Sequence, residues 1–191
     1  MRGKPAKVLG AGDVRRMLAA ARRRRHADRD RVIIMLSVKA GLRACEISGL
    51  TWAMVLNPDG KVGNLIELPP SAAKKGSGRM IPVHPDLKRA LKKHCRNTIC
   101  SGPVVKSERG RAMTAKSIVN WFRDLYLELG LQGCSSHSGR RTFITRSARL
   151  IHKAGGSLRD IQELAGHRSI KTTQGYIEGD AVAQRRLIRL L

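Results

Sequence analysis

Four short stretches of this sequence carry side chains suited to chemistry on a phosphate ester. In Gly41-Leu42-Arg43-Ala44-Cys45-Glu46-Ile47, a glycine stops one helix and an arginine opens the next. A helix N-terminus favours an anion, and a guanidinium can grip two phosphate oxygens at once. Glu46 lies one turn on, where it could orient Arg43; alone, the same i,i+3 spacing is that of a surface ion pair. In Lys74-Lys75-Gly76-Ser77-Gly78-Arg79-Met80-Ile81-Pro82, two lysines occupy a hairpin loop. A lysine among other cations can act as a general acid, although such loops are usually only solvated. His137-Ser138-Gly139-Arg140-Arg141 offers a second guanidinium at Arg140 and a titratable imidazole at His137, three residues apart. Gly139 between them leaves room for a close backbone approach. The last stretch runs from Leu164 to Tyr176, with Gly166 ending a helix, His167 in the turn and Tyr176 nine positions later. Of the chain's 2 tyrosines, Tyr126 belongs to an apolar stripe with Trp121, Phe122 and Leu129, whereas Tyr176 follows a polar, threonine-rich approach that leaves its hydroxyl free to react.

The elements that must position these side chains are mostly helical. Asp13 is a candidate N-cap, and behind it Val14, Met17, Leu18 and Ala21 recur at helical spacing. Arg22 to Arg25 read as a solvated helix end. A second helix is expected over 28–40 and a short third over 43–50. Asn57-Pro58-Asp59-Gly60 is a turn signal, and 62–68 and 79–83 read as strands flanking the lysine loop. Helix resumes over 85–96; the polar, Gly- and Pro-containing stretch 99–113 reads as loop. Helices are expected over 114–129, 137–152 and 157–165, the last capped by Ser157, and a short amphipathic helix over 180–191. The fold class is therefore mainly α with a small antiparallel β-sheet (α+β).

Lys and Arg total 38 against 14 Asp and Glu, a formal charge of +24 over 191 residues. A folded domain so basic repels itself unless a polyanion neutralises it, and nucleic acid is the foremost candidate. The charge runs along the whole chain rather than forming a tail. At 41% hydrophobic residues a packed core is attainable, and the length suits one domain. No run of 18 apolar residues exists, so no membrane helix is expected, nor does Met1 to Val8 have the apolar segment of a secretory signal. Cys45, Cys95, Cys100 and Cys134 match no standard zinc spacing and read as reduced, partly buried thiols, with a zinc site as the alternative.

Together, and in this order, the four stretches resemble the catalytic domain of the tyrosine recombinases, the family of phage integrases and of bacterial recombinases that resolve chromosome dimers. The resemblance runs from about Val8 to Ile177: Gly-Leu-Arg-x-x-Glu at Gly41 to Glu46, a lysine eight residues before a proline at Lys74 and Pro82 (Lys75 being the fallback), His-x-x-Arg at His137 and Arg140, and Leu-x-Gly-His at Leu164 to His167, with a tyrosine nine residues on. It implies a tyrosine recombinase fold over 8–177, a basic tail at 1–7 and a C-terminal tail at 178–191 that packs on its own domain or on a partner. It further implies an enzyme that breaks and rejoins double-stranded DNA without metal or other cofactor, working as a dimer or tetramer in the cytoplasm of a bacterium or archaeon, or for a phage or mobile element. Tyr176 would form a 3′-phosphotyrosyl link, Arg43 and Arg140 would clamp the phosphate, and His167 would add a hydrogen bond. Lys74 would protonate the leaving oxygen and His137 would help deprotonate the phenol, since a phenol ordinarily titrating near ~10 is a poor nucleophile at neutral pH. The competing expectations are type IB topoisomerase-like relaxation and a non-catalytic basic DNA-binding protein. The family usually carries an N-terminal DNA-clasping domain that is not seen before Val8; the chain is expected either to be a fragment or to act without the clasp.

Overall fold

The computed structural model describes residues 6–73, 76, 78–176, 188 and 189. Lys74, Lys75 and the expected C-terminal helix over 180–191 lie outside the described residues, apart from 188 and 189. The chain forms α1 (Ala11–Arg22), α2 (Ala27–Lys39), α3 (Ala44–Gly49), β1 (Leu65–Leu68), β2 (Arg79–Pro82), α4 (Pro85–Arg96), α5 (Ala115–Glu128), α6 (Ser138–Leu150), α7 (Leu158–Ala165) and α8 (Ile170–Gln174). The fold is mostly helical with one two-stranded antiparallel sheet, in which Ile66 faces Ile81 and Leu68 faces Arg79.

Helix α2 is the axis of the core. Val32, Ile33, Ile34 and Leu36 are all fully buried, so this helix is enclosed rather than amphipathic, and α1, α3, α4 and α6 pack around it. Its crossing with α6 is close: a Cβ on Gly139 would run into the Ser37 side chain. The approach that Gly139 permits is thus from helix α2 of its own domain. Helix α4 has proline at its first position, and the ring of His84 accepts a hydrogen bond from the Asp86 N–H at 3.1 Å. Helix α5 is capped by Thr114 and buries Ile118, Phe122, Leu125 and Tyr126. Tyr126 belongs to the core; burial raises its phenol's pKa, and its hydroxyl has no hydrogen-bond partner among the described residues.

Several local expectations differ from the outcome. Helix α1 begins at Ala11, with Gly10 as N-cap; Asp13 sits at the third position, where its carboxylate accepts the Gly10 N–H at 2.9 Å. The strands are shorter than expected because Val62 pairs with Leu56 in an isolated bridge instead of extending β1. The Arg22–Arg25 run is not merely solvated: Arg24 pairs with Glu128 and stacks over the Trp121 ring at 5.5 Å, fastening the turn after α1 to α5. Cys95 and Cys100 form a disulfide, so two of the four expected thiols are joined; Cys45 and Cys134 remain free.

A second, smaller apolar cluster lies beside the main core. Ile144 of α6 and Ile161 and Ala165 of α7 are fully buried there, with Phe143, Leu158 and Tyr176 packed against them. Phe143 links this cluster to the first motif, since its ring lies where a Cβ of Gly41 would stand; Gly41 has φ +64. Glycine is required there twice, by conformation and by space.

Candidate functional site: an arginine cluster beside Tyr176

The turn that ends α2 and opens α3 places Arg43 at the N-cap of α3, and the Glu46 carboxylate accepts both its backbone N–H at 2.9 Å and its Nη1 at 2.7 Å. This is not a surface pair. Glu46 is completely buried, and its two oxygens also receive Nη1 and Nη2 of Arg79 at 3.1 and 3.0 Å. Burial pushes the Glu46 carboxyl up, but the hydrogen bonds and charge of Arg79, with those of Arg43, outweigh it and hold the group at about 2. Arg79 also donates from Nε to the Leu164 carbonyl at 2.9 Å, which ties strand β2 to the end of α7.

That end is built around Gly166, whose φ of +62 caps the helix and reverses the chain into His167. The His167 carbonyl accepts from Gln162 Nε2 and its N–H donates to the Gln162 carbonyl, so the turn is pinned on both sides. The ring is buried. Its Nδ1 lies 2.9 Å from Thr173 Oγ1 in α8 and its Nε2 lies 2.9 Å from Arg140 Nη2. Burial, then the charges of Arg140, Arg43 and Arg79, bring its pKa down to about 4, so the ring is neutral at pH 7.

Arg140, from the first turn of α6, is 2% exposed. It donates from Nη1 to the Gly41 carbonyl and from Nη2 to the Ala165 carbonyl, both at 2.6 Å. One guanidinium thus holds together the turn before Arg43 and the turn before His167. Burial and the nearby Arg43 lower its pKa to about 10, which leaves it charged at neutral pH. Tyr176 follows α8, half-buried, with its ring stacked on His167 at 5.4 Å between centroids and 21° between planes. The Arg141 guanidinium lies over the ring at 5.7 Å, and Thr145 Oγ1 donates to the Tyr176 carbonyl at 3.2 Å.

Arg43, Glu46, Arg140, His167 and Tyr176 therefore come together from three of the four stretches. His137 is the N-cap of α6 and is exposed, unlike the buried Arg140 of the same motif. Sequence reasoning missed two members of the cluster. Arg79 looked like one more basic residue at a strand end, and Thr173 sat in a threonine pair with no helical pattern; the signal for both was only their closeness to the motifs. Chemically, Arg43, Arg79 and Arg140 surround a single carboxylate and a neutral imidazole, which leaves a local excess of two positive charges. Concentrated, poorly solvated cations of this kind favour an anion. Among the described residues, no group of three or more His, Cys, Asp or Glu is placed to hold a metal ion, and no helix is long and apolar enough to cross a membrane.

Known proteins resemble this chain in sequence and in fold. The tyrosine recombinase XerC of Brucella suis biovar 1 (strain 1330) is 29% identical over 179 residues, covering 89% of this chain and 54% of that protein. XerC of Xylella fastidiosa (strain 9a5c) is 30% identical over 156 residues, covering 80% of this chain and 49% of that one. The chain spans about half the length of these curated relatives. Among solved structures, the XerA recombinase superposes with a TM-score of 0.75 at 23% identity, over 97% of this chain and 66% of that one. The Tn1549 transposon integrase, solved in complex with transposon right end DNA, gives 0.75 at 21%, over 99% of this chain and 67% of that one. These two likenesses establish the fold. The sequence model of the phage integrase family matches residues 7–181, and the chain belongs to that family.

Proposed function

We propose that residues 8–177 are the catalytic domain of a site-specific DNA recombinase that cuts and rejoins strands through a covalent bond to Tyr176. The observation that carries this reading is the meeting of a half-buried phenol ring with a cluster that has an excess of two guanidinium charges and a neutral imidazole. In this reaction Tyr176 Oη attacks a backbone phosphorus, the bond to the 5′-oxygen breaks, and a 3′-phosphotyrosyl ester holds the strand. The phenol proton leaves to a base and the 5′-oxygen takes one from an acid. A 5′-hydroxyl of another strand then reverses the step, and bond energy is kept throughout. Because phosphoryl transfer chiefly requires positioning and charge stabilisation, Arg43 and Arg140 would hold the non-bridging oxygens. Lys74, or failing it Lys75, would serve as the acid and His137 would assist the phenol. His167 would keep Arg140 oriented until substrate enters. For the ring itself to donate to a phosphate oxygen, its proton must move to Nε2 as Arg140 turns to the phosphate.

The net charge of +24 suits double-stranded DNA as the substrate. The relatives named as tyrosine recombinases favour strand exchange over simple relaxation, and paired action on two DNA sites implies a dimer or tetramer of this chain on DNA, in the cytoplasm with the nucleoid. The test is a nicked duplex that loses its short 5′-hydroxyl strand on cleavage, so that the covalent species accumulates. The expected result is a protein–DNA band that resists denaturant, needs no added metal and disappears in Tyr176→Phe. A Tyr176→Phe protein that still forms the adduct would remove Tyr176 from its role.

A further inference from the structure

We propose that Arg79 is a positioning residue for the cleavage step, holding Glu46 against Arg43 and fixing the end of α7 from which His167 projects. The inference rests on the cleavage reading above. Arg79 combines three features that suit this role. Its side chain is 5% exposed, so it is shielded from solvent. All three of its nitrogens are engaged in one plane: two on the Glu46 carboxylate, and Nε on the Leu164 carbonyl. Finally, space has been cleared for it, since a Cβ at Gly166 would lie 2.8 Å from Nη1 and 3.1 Å from Cδ.

Arg79 therefore joins three chain segments far apart in sequence, and each carries or adjoins a side chain proposed to act on the phosphate. Without it, Glu46 would keep only Arg43 opposite a fully buried carboxylate, and Arg43 would be drawn onto Glu46 rather than left to face a substrate anion. With it, the carboxylate is already satisfied by a bidentate partner, and the Arg43 contact orients that side chain without consuming it. A lysine cannot substitute, because a single ammonium does not span both carboxylate oxygens and the Leu164 carbonyl in fixed geometry. The groups facing Glu46 are Arg43 on α3, Arg79 on β2, and Arg140 and His167 from α6 and the turn after α7.

The experiment measures single-turnover adduct formation on the nicked duplex, and duplex affinity, for the unmodified chain, Arg79→Lys and Arg79→Met. A misplaced catalytic group typically costs on the order of 10²-fold, so both variants should bind duplex within about threefold yet cleave about 30- to 100-fold more slowly. In Arg79→Met the deficit should deepen from about pH 8 to about pH 5, because Glu46 without its main partner takes up a proton more readily. Combining Arg79→Met with Glu46→Gln should add little to either loss, since both break the same link; independent damage to folding would add. If Arg79→Met does not fold, Arg79→Lys decides by the same rate criterion. A folded variant cleaving within about threefold of the unmodified chain overturns the assignment, as does a fall explained wholly by weaker DNA binding. If the unmodified chain forms no adduct at all, it is the cleavage reading that fails, and this inference falls with it.

Discussion

His167 Nε2 sits 2.9 Å from Arg140 Nη2. A guanidinium has only donors to offer, so the imidazole nitrogen must be the acceptor. The ring is then neutral, with its proton on Nδ1 facing Thr173 Oγ1 at 2.9 Å. The pKa of about 4, lowered by burial and by three arginines, agrees with this assignment.

Acid should therefore weaken the fold through this ring. In the unfolded chain a histidine takes up a proton below pH ~6.5, while folded His167 resists until about 4. The unfolded state binds more protons in that interval, so stability is present above ~6.5 and is lost as pH falls towards 4, by up to about 3 kcal/mol. Glu46, held at about 2, contributes in the same direction in the next window, from about 4.5 down to 2. Urea unfolding at pH 7.5 and pH 5 (about these values), compared between the unmodified chain and His167→Gln, isolates the first effect. The variant should lose about 1–3 kcal/mol less between the two conditions. Equal losses would show that His167 is not held neutral.

Arg43→Ala and Arg140→Ala should differ in stability but not in activity. Glu46 keeps both hydrogen bonds from Arg79 when Arg43 is removed, so Arg43→Ala should cost at most about 1 kcal/mol. Removing Arg140 strands the buried Gly41 and Ala165 carbonyls and the His167 Nε2, a cost of about 3–5 kcal/mol. Both should lower the cleavage rate by at least ~10²-fold while duplex binding survives. Denaturant unfolding and adduct formation measure the two properties separately. Equal destabilisation by the two changes would contradict the difference between Arg140, bonded to two buried carbonyls, and Arg43, bonded to a carboxylate that Arg79 also holds.

The contrast between Gly166 and Gly175 gives a backbone test. Gly166 combines φ +62 with the Arg79 guanidinium close to where a Cβ would stand, so Gly166→Ala should cost about 1–3 kcal/mol and slow cleavage by displacing the turn that carries His167. Gly175 has φ −63, and its nearest neighbours to an added Cβ are at 3.6 and 3.7 Å, an ordinary contact distance. Gly175→Ala, although adjacent to Tyr176, should change stability by no more than about 0.5 kcal/mol. Thermal unfolding of the two variants decides this, and a reversed order would mean that the α7 turn is not the constrained one.

The parts of this molecule legible in its sequence were those with a repeating physical signal. Helix α4 has proline at its start and a regular apolar face, and its bounds agree with the expectation over 85–96. Helix α5 was equally plain, since Thr114 caps a helix whose apolar stripe holds Ile118, Phe122, Leu125 and Tyr126. Helix α8 was not: five residues containing two β-branched threonines have neither propensity nor period, and the segment is helical because Thr173 is buried against His167. The site divides in the same way. Arg43 and Glu46 are three residues apart and could be paired by inspection. Arg79 meets Glu46 across 33 positions and Leu164 across 85, and in a chain with 38 basic residues nothing local distinguishes it. The Cys95–Cys100 link also escaped notice, because a five-residue separation matches no metal or redox spacing.

Thr173 offers the most selective probe of the histidine's orientation. Its side chain is fully buried, and its Oγ1 is the acceptor that fixes the proton on His167 Nδ1. Valine has nearly the same shape but no oxygen, so Thr173→Val leaves the Nδ1–H buried without a partner, at a cost of about 1–3 kcal/mol. The neutral ring can escape that cost by moving its proton to Nε2, but there it would face Arg140, a donor against a donor. In the first case the ring loses the partner that fixes its orientation and in the second its contact with Arg140, so cleavage should slow by about tenfold or more with duplex binding unchanged. Thr173→Ser keeps the oxygen and sacrifices only a methyl group, so it should cleave at close to the normal rate even if it is somewhat less stable. Comparing the two variants in the single-turnover assay therefore separates the hydrogen bond from the packing. Should valine cleave at the normal rate while serine is slow, the methyl contact matters and the hydroxyl does not, and the tautomer assigned to His167 would have no bearing on the chemistry.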